Sequence, residues 1–270
     1  MINKHFKIFD CFTFYNEIEM LHVRLEELYD FVDYFILCEA PLTFRGKTKN
    51  LFYEENKKMF EKYNDKIIHI VDNEIPKNID DPWKREFHQR DYLNEGLKKF
   101  NLNKNDQIII SDIDEIPSVK KLKKILPVNW VYSLEQEFYY YNLNNKLSKK
   151  WRASKILNYQ TYVDKFDRSP QKVRSVHDYR KIFNLKINRN IIKNCGWHFS
   201  YFGGVDNIIN KIQSISHFEN DTNDFKNREH IANSINRGED IFDTKEFKIN
   251  KIKKINVKKL PKGIEHLINL

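Results

Sequence analysis

The stretch IIISDIDEIP, residues 108–117, runs three isoleucines into three carboxylates and closes on a proline. A short continuous apolar run bounded by polar residues is the pattern of a strand buried on both faces, as at the centre of a parallel sheet. Ile108, Ile109 and Ile110 are therefore expected in such a strand, with Asp112, Asp114 and Glu115 where it leaves the sheet. Side chains two apart on an extended segment point the same way, so Asp112 and Asp114 are expected to aim two carboxylates at one point. Charge at a buried strand end is costly unless a cation or hydrogen bonds offset the repulsion. A divalent metal, Mn2+ or Mg2+, is the expected occupant, with phosphate oxygens completing its shell. The implied ligand is a nucleoside diphosphate compound.

Upstream, apolar runs alternate with amphipathic stretches, which predicts parallel strands joined by helices. FKIFDCFTF reads as a first strand, and Ile18, Leu21, Leu25 and Leu28 mark the buried face of a helix. YFILCEA and KIIHIVD follow as strands, then a helix from about Trp83 to Phe100 that buries Phe87, Leu93, Leu97 and Phe100. Open α/β sheets bind ligands beyond the carboxyl ends of their strands, where the carboxylate cluster falls. After Pro127 the aromatic segments WVYSLEQEFYYYNLN, KILNYQTYVDKF and IIKNCGWHFSYFGG read as antiparallel or mixed strands continuing the same sheet. VDNIINKIQSI and FKNREHIANSI read as helices, followed by a basic tail. No Gly/Ser-rich linker divides the chain. The expectation is one α/β domain over residues 1–270, with a nucleotide half to about 127 and an acceptor-facing half beyond it.

The chain has 270 residues, 40% of them hydrophobic and 14% aromatic, which is ample for a core. No apolar run approaches the roughly 18 residues of a membrane helix, and the opening residues lack a signal-like core. Cys11, Cys38 and Cys195 fit neither a disulfide framework nor a CxxC zinc site. A soluble chain in a reducing, cytoplasmic compartment is expected. The net charge of +9 is spread over scattered lysines, and the densest runs, KKLKK and KINKIKKINVKK, carry apolar residues between the basic ones. That is the pattern of a solvated face, so nucleic-acid binding is not expected.

Further residues suit the site chemically. Arg85 and Arg90 in KREFHQRD suit phosphate, with Glu86 and Gln89 beside them; the alternative is the exposed side of a helix. Glu39, Thr43, Arg45 and Lys47 follow the second strand, where a loop faces either the nucleotide or solvent. Three of the seven glycines fall in GWHFSYFGG, and Gly203 and Gly204 permit positive φ or close approach to a ligand. His198 in that block reads either as a core histidine or as a ligand. Phe12, Phe14 and Trp151 read as packing residues or a sugar platform.

FDCFTFYNEIEMLHVRLEEL, VDYFILCEAPLTFRGKTK, WKREFHQRDYL, IIISDIDEIP and GWHFSYFGG followed by KIQSISHFE resemble, in order, the glycosyltransferase family 17 proteins. The resemblance implies a GT-A type fold and inverting transfer from a UDP-sugar, N-acetylglucosamine by analogy, to a glycan acceptor. It also implies a DxD-bound divalent metal, with Asp112 and Asp114 as ligands, Asp112 also meeting the donor, and His198 as a late third ligand. Animal members carry a membrane anchor that the opening of this sequence does not show, so a bacterial or viral glycan is the expected acceptor. Inversion needs a base for the acceptor hydroxyl. Glu137 and Glu219 are the leading candidates, then Asp164 and Glu115; the first three also read as ordinary exposed carboxylates, and Glu115, beside Asp114, as support for the metal site. Two other classes compete: a metal-dependent phosphohydrolase or nuclease, which needs more clustered carboxylates and histidines, and a basic RNA-binding module, which leaves the strand-end carboxylates unexplained.

Overall fold

The computed structural model describes residues 5–182, 185–188, 190–242, 248–252 and 254–268. Residues 1–4 of the opening and Lys253 of the basic tail lie outside them. The first half alternates strand and helix: β1 (Ile8–Thr13), α1 (Ile18–Leu28), β2 (Tyr34–Glu39), α2 (Phe52–Asn56), β3 (Ile67–Val71) and α3 (Pro82–Leu97). β4 (Gln107–Asp112) then turns through Ile113 and Asp114 into β5 (Glu115–Pro117) and α4 (Val119–Leu122). The second half runs β6 (Tyr132–Leu134), β7 (Glu137–Tyr140), β8 (Asn142–Leu147), β9 (Lys155–Asn158), α5 (Tyr159–Phe166) and α6 (Pro170–Arg174). It continues with β10 (Tyr179–Ile182), β11 (Leu185–Asn188), β12 (Ile191–Ile192), β13 (Gly196–Ser200), α7 (Gly204–Ser214), α8 (Arg228–Arg237), β14 (Ile249–Lys251) and α9 (Glu265–Ile268).

A seven-stranded mixed sheet has the order β12-β6-β9-β4-β1-β2-β3. β3, β2, β1 and β4 are parallel, and β9 runs antiparallel to β4. The isoleucines of β4 are fully buried. Ile109 packs on one face with Leu21, Leu25 and Leu28 of α1, while Ile108 and Ile110 pack on the other with Leu93 and Leu97 of α3. Two apolar faces on one strand are what the uninterrupted isoleucine run requires.

The second half departs from a single continued sheet. β6, β9 and β12 do extend the first sheet, but β7 and β13 leave it for a five-stranded sheet ordered β14-β8-β7-β13-β5. Phe138 and Tyr140 of β7 pack with Ile208 and Ile212 of α7, whereas Tyr139 between them joins the main core. Alternating faces with different partners demand a layer of their own. KILNYQTYVDKF is also only half strand, because the Asn158 side chain accepts from Thr161 N at 3.1 Å and starts α5 there. Phe87 was expected inside and is 38% exposed; α3 buries Gln89, Arg90 and Leu93 instead. The result is one α/β domain of mixed sheets flanked by helices.

β5 joins the two sheets, since it follows β4 directly and pairs antiparallel with β13, His198 lying opposite Glu115. Gly196 makes that pairing possible: it has φ +137, and a Cβ on it would stand 2.1 Å from the Ile116 carbonyl oxygen. Gly196→Ala is expected to cost about 2 kcal/mol or more through backbone strain, lowering the melting temperature by several degrees. Thermal denaturation followed by circular dichroism checks this.

Candidate active site

Arg24 shapes the carboxylate turn. It sits on the inner face of α1, is completely buried, and lies over the Phe12 ring at 4.4 Å. Its Nε and Nη2 donate to the two oxygens of Asp10 at 2.8 and 2.7 Å, and Nη2 also reaches the Ser111 hydroxyl. Nη1 donates to the carbonyls of Asp112, Ile113 and Glu115 at 2.9, 3.2 and 3.1 Å. Every nitrogen of the guanidinium is used, which a rigid planar fork allows and an ammonium does not.

The turn so held sends Asp112 and Glu115 to a shared Arg174, and Asp114 to Lys211 and His198. Glu115, fully buried, accepts from its own turn at Asp112 N (3.1 Å), from the Ser154 hydroxyl (2.7 Å), from the Trp151 indole and from both terminal nitrogens of Arg174. Burial alone would raise its pKa, but Arg174 outweighs it and holds the carboxyl down at about 2. Asp112 keeps about a third of its side chain exposed and meets Arg174 at 2.6 Å and Arg90 at 3.3 Å. Asp114 meets Lys211 of α7 at 2.9 Å and stands 3.6 Å from His198 Nε2. Burial opposes its ionisation too, yet Lys211 and His198 keep it far below the usual carboxylate range. The expected convergence of Asp112 and Asp114 is therefore not seen, because Ile113 and Asp114 form a turn rather than an extended strand.

His198 is held by rings. Its imidazole stacks on Trp151 at 4.3 Å and lies against Phe138 at 4.6 Å, and its Nδ1 is buried with no hydrogen-bond partner among the described residues. These groups line a cavity of about 820 Å3. Its walls come from the segment after β1, the loop after β2, α3, the carboxylate turn, α6, β13, α7 and residues 214–220.

The sequence-derived residues divide. Asp112, Asp114, His198, Arg90, Gln89, Glu86, Thr43, Phe14, Trp151 and Glu219 all line the cavity. Arg85 does not: its guanidinium is taken up by the carbonyls of Phe44, Pro76, Lys77 and Ile79, so it clamps two loops together. Glu39 is fully buried, where it caps α2 through Tyr53 N and Glu54 N and meets His69. Glu137 pairs with Lys146 and Lys150 outside the cavity wall, and those lysines, outweighing burial, lower its pKa. Arg45 pairs with Asp221, and Asp164 accepts from Gln160 on α5. Gly203 (φ +100) begins α7, so the glycine pair turns the chain from β13 into the helix that carries Lys211.

A sequence model of glycosyltransferase family 17 matches residues 1–261. The chain belongs to glycosyltransferase family 17. It is similar to the beta-1,4-mannosyl-glycoprotein 4-beta-N-acetylglucosaminyltransferases of Rattus norvegicus and Homo sapiens, each 31% identical over 117 residues. The Mus musculus protein is 30% identical over the same length. The matched stretch is 42% of this chain and only 22% of those relatives. No helix among the described residues is long and apolar enough to cross a membrane.

For this family 17 glycosyltransferase, sequence reading missed Arg24, Arg174 and Lys211. Arg24 had a signal: it falls between Leu21 and Leu28 on the apolar face of α1, opposite a lone aspartate in an apolar strand. Arg174 and Lys211 had none, since each sits on an ordinary amphipathic helix.

Two outcomes follow from this charge balance. Arg24→Met leaves Asp10 buried and unpaired, and is expected to cost about 3–5 kcal/mol in urea denaturation, with Asp10→Leu in the same chain recovering part of the loss. The pKa of Glu115 lies below its ordinary 4.5, so its contribution to stability is full above that value and is lost as pH falls toward about 2. Acid denaturation of Glu115→Gln should accordingly show a shallower loss over that window than the parent chain.

Proposed function

We propose that the chain transfers a sugar, N-acetylglucosamine by analogy with its relatives, from a UDP-sugar to a glycan hydroxyl, with inversion, on a GT-A type fold. The observation that carries this is the placing of Asp114, His198, Arg90, Arg174 and Lys211 around one cavity at the carboxyl end of β4, in a member of glycosyltransferase family 17. The sheet order β3-β2-β1-β4 with an antiparallel β9 supports a nucleotide-binding half of this kind.

The donor set suits a divalent cation of the Mn2+ or Mg2+ type. Among the described residues no three His, Cys, Asp or Glu side chains form a metal cluster by themselves. Asp114 and His198, 3.6 Å apart, offer two donors, and such ions take one or two carboxylates with phosphate oxygens and water as the remainder. When bound there, the metal would neutralise the diphosphate as it departs. Asp112, about a third exposed, is the carboxylate proposed to meet the nucleotide, with Thr43 and Gln89 further along the wall.

The residues then divide the work. The acceptor oxygen attacks the anomeric carbon while the bond to the diphosphate oxygen breaks on the opposite face. Arg90, Arg174 and Lys211 receive the charge that develops on the diphosphate, exchanging their carboxylate partners for phosphate oxygens. A carboxylate on the acceptor side takes the hydroxyl proton. Glu219 lines the cavity and is the base proposed here, whereas Glu137 is occupied by two lysines away from it.

Asp114→Asn is expected to abolish manganese-dependent release of UDP from UDP-N-acetylglucosamine while the fold survives. Glu219→Gln is expected to lower turnover on the order of 10²–10⁴-fold with UDP affinity nearly intact. Coupled UDP-release kinetics and calorimetric UDP binding, run on the same preparations, separate the two effects. UDP binding indifferent to manganese in the parent chain would contradict the metal, and full turnover in Glu219→Gln would contradict the base.

A further inference from the structure

α3 runs outward from the diphosphate end of the cavity. Trp83, Glu86, Phe87 and Arg90 share one face of it, at helical spacings of three, four and seven, and all four line the cavity. Arg90 marks the inner end, at Asp112. Trp83 lies seven residues back along the axis, about 10 Å away at 1.5 Å per residue. At that outer end the rings of Trp83 and Phe87 stand 6.0 Å apart, and His217 from the 214–220 segment sits edge-on to Trp83 at 4.7 Å. His217 Nδ1 is bonded to Glu219 at 2.6 Å. Phe87, one of the few large apolar side chains of the described residues left open, faces this corner at 38% exposure.

We propose that Trp83 and Phe87 form the platform on which the acceptor sugar stacks, with the His217–Glu219 pair beside it facing a hydroxyl. This rests on the transferase function above and adds where, and by what chemistry, the acceptor is held. A pyranose presents an apolar face of C–H groups and a rim of hydroxyl donors. The corner offers the complement of both: the open Phe87 ring beside the half-buried Trp83, and carboxylate oxygens of Glu219 and of Glu86, which is also paired with Arg90, to accept hydrogen bonds. A uracil ring would also stack on Phe87, but its rim carries two carbonyl acceptors to a single N–H donor, so it matches the carboxylates less well than a rim of hydroxyls. The roughly 10 Å along α3 from Trp83 to Arg90 separates the platform from the diphosphate end by about the length of one donor sugar, so that acceptor hydroxyl, anomeric carbon and diphosphate follow one wall of the cavity. Glu219 on the platform is then near the hydroxyl that loses its proton.

The test uses Phe87, whose exposure makes the fold indifferent to its loss. The full chain, with UDP and manganese, is applied to an array of mannose- and N-acetylglucosamine-terminated glycans, while UDP affinity is measured by calorimetry. The parent chain should retain glycans, Phe87→Ala should retain them on the order of tenfold less with unchanged UDP affinity, and Phe87→Tyr should restore retention. Equal retention by Phe87→Ala, or none by the parent, overturns the platform. A fall of UDP affinity in Phe87→Ala places the nucleobase on the rings and overturns it as well. Transfer of N-acetylglucosamine from UDP-N-acetylglucosamine to the retained glycans is scored separately on the parent chain: its absence speaks against the transferase function, while the array comparison still reads the platform.

Discussion

The buried contact between Arg24 and Asp10 is the constraint on which the site depends. A carboxylate inside a parallel sheet and a guanidinium inside a helix–sheet interface are each prohibitive alone. Together they leave spare N–H groups, and these are spent on the carbonyls of Asp112, Ile113 and Glu115. A turn of this kind ordinarily satisfies its carbonyls with water, which fixes nothing. Here one planar cation takes three of them, so the direction of every side chain on the turn follows from where α1 packs on β1. Core packing and site geometry are thus one problem.

The same economy governs the charges facing the cavity. Arg174 is shared between Asp112 and Glu115, Arg90 between Asp112 and Glu86, and Lys211 is held by Asp114. These pairings keep the cations in place before any ligand arrives. They differ in how easily they are given up. Glu115 has donors on both oxygens besides Arg174, so it remains satisfied if the arginine turns toward a phosphate. Asp112 is partly open to solvent and can likewise release a partner at modest cost. The diphosphate proposed above would therefore replace one set of anions by another, with Glu115 kept satisfied by its other donors.

Much of this was legible in sequence because it is periodic. The isoleucine run marks a central strand, and the alternation before it marks parallel strands joined by helices, whereas their order β3-β2-β1-β4 comes only from the structure. What failed to show was whatever depends on contacts between distant segments. Asp112 and Asp114 look like neighbours on one strand until Arg24 bends the chain between them. Arg85 looks like a phosphate ligand because sequence cannot show four carbonyls converging on it. Phe87 looks like core because an aromatic at helical spacing usually is. Glu137, judged by its position after the DxD, cannot be distinguished from Glu219 until the lysines of β8 and the loop after it close on it.

His198 shows how the second sheet completes the first. A metal-ligating histidine is usually oriented by a hydrogen bond to its other ring nitrogen. For His198, the ligand proposed above, no such bond is present among the described residues, and orientation comes instead from the faces of Trp151 and Phe138. Trp151 is itself fixed by the indole N–H on Glu115, and β13 by its pairing with β5. The imidazole is thus referred back, through Trp151 and Glu115, to the turn that Arg24 holds. Any displacement of that turn moves Asp114 and His198 together, which preserves their separation. Asp114, in the turn before β5, is also tied to β13 directly, its carbonyl accepting from Phe199 N at 2.9 Å.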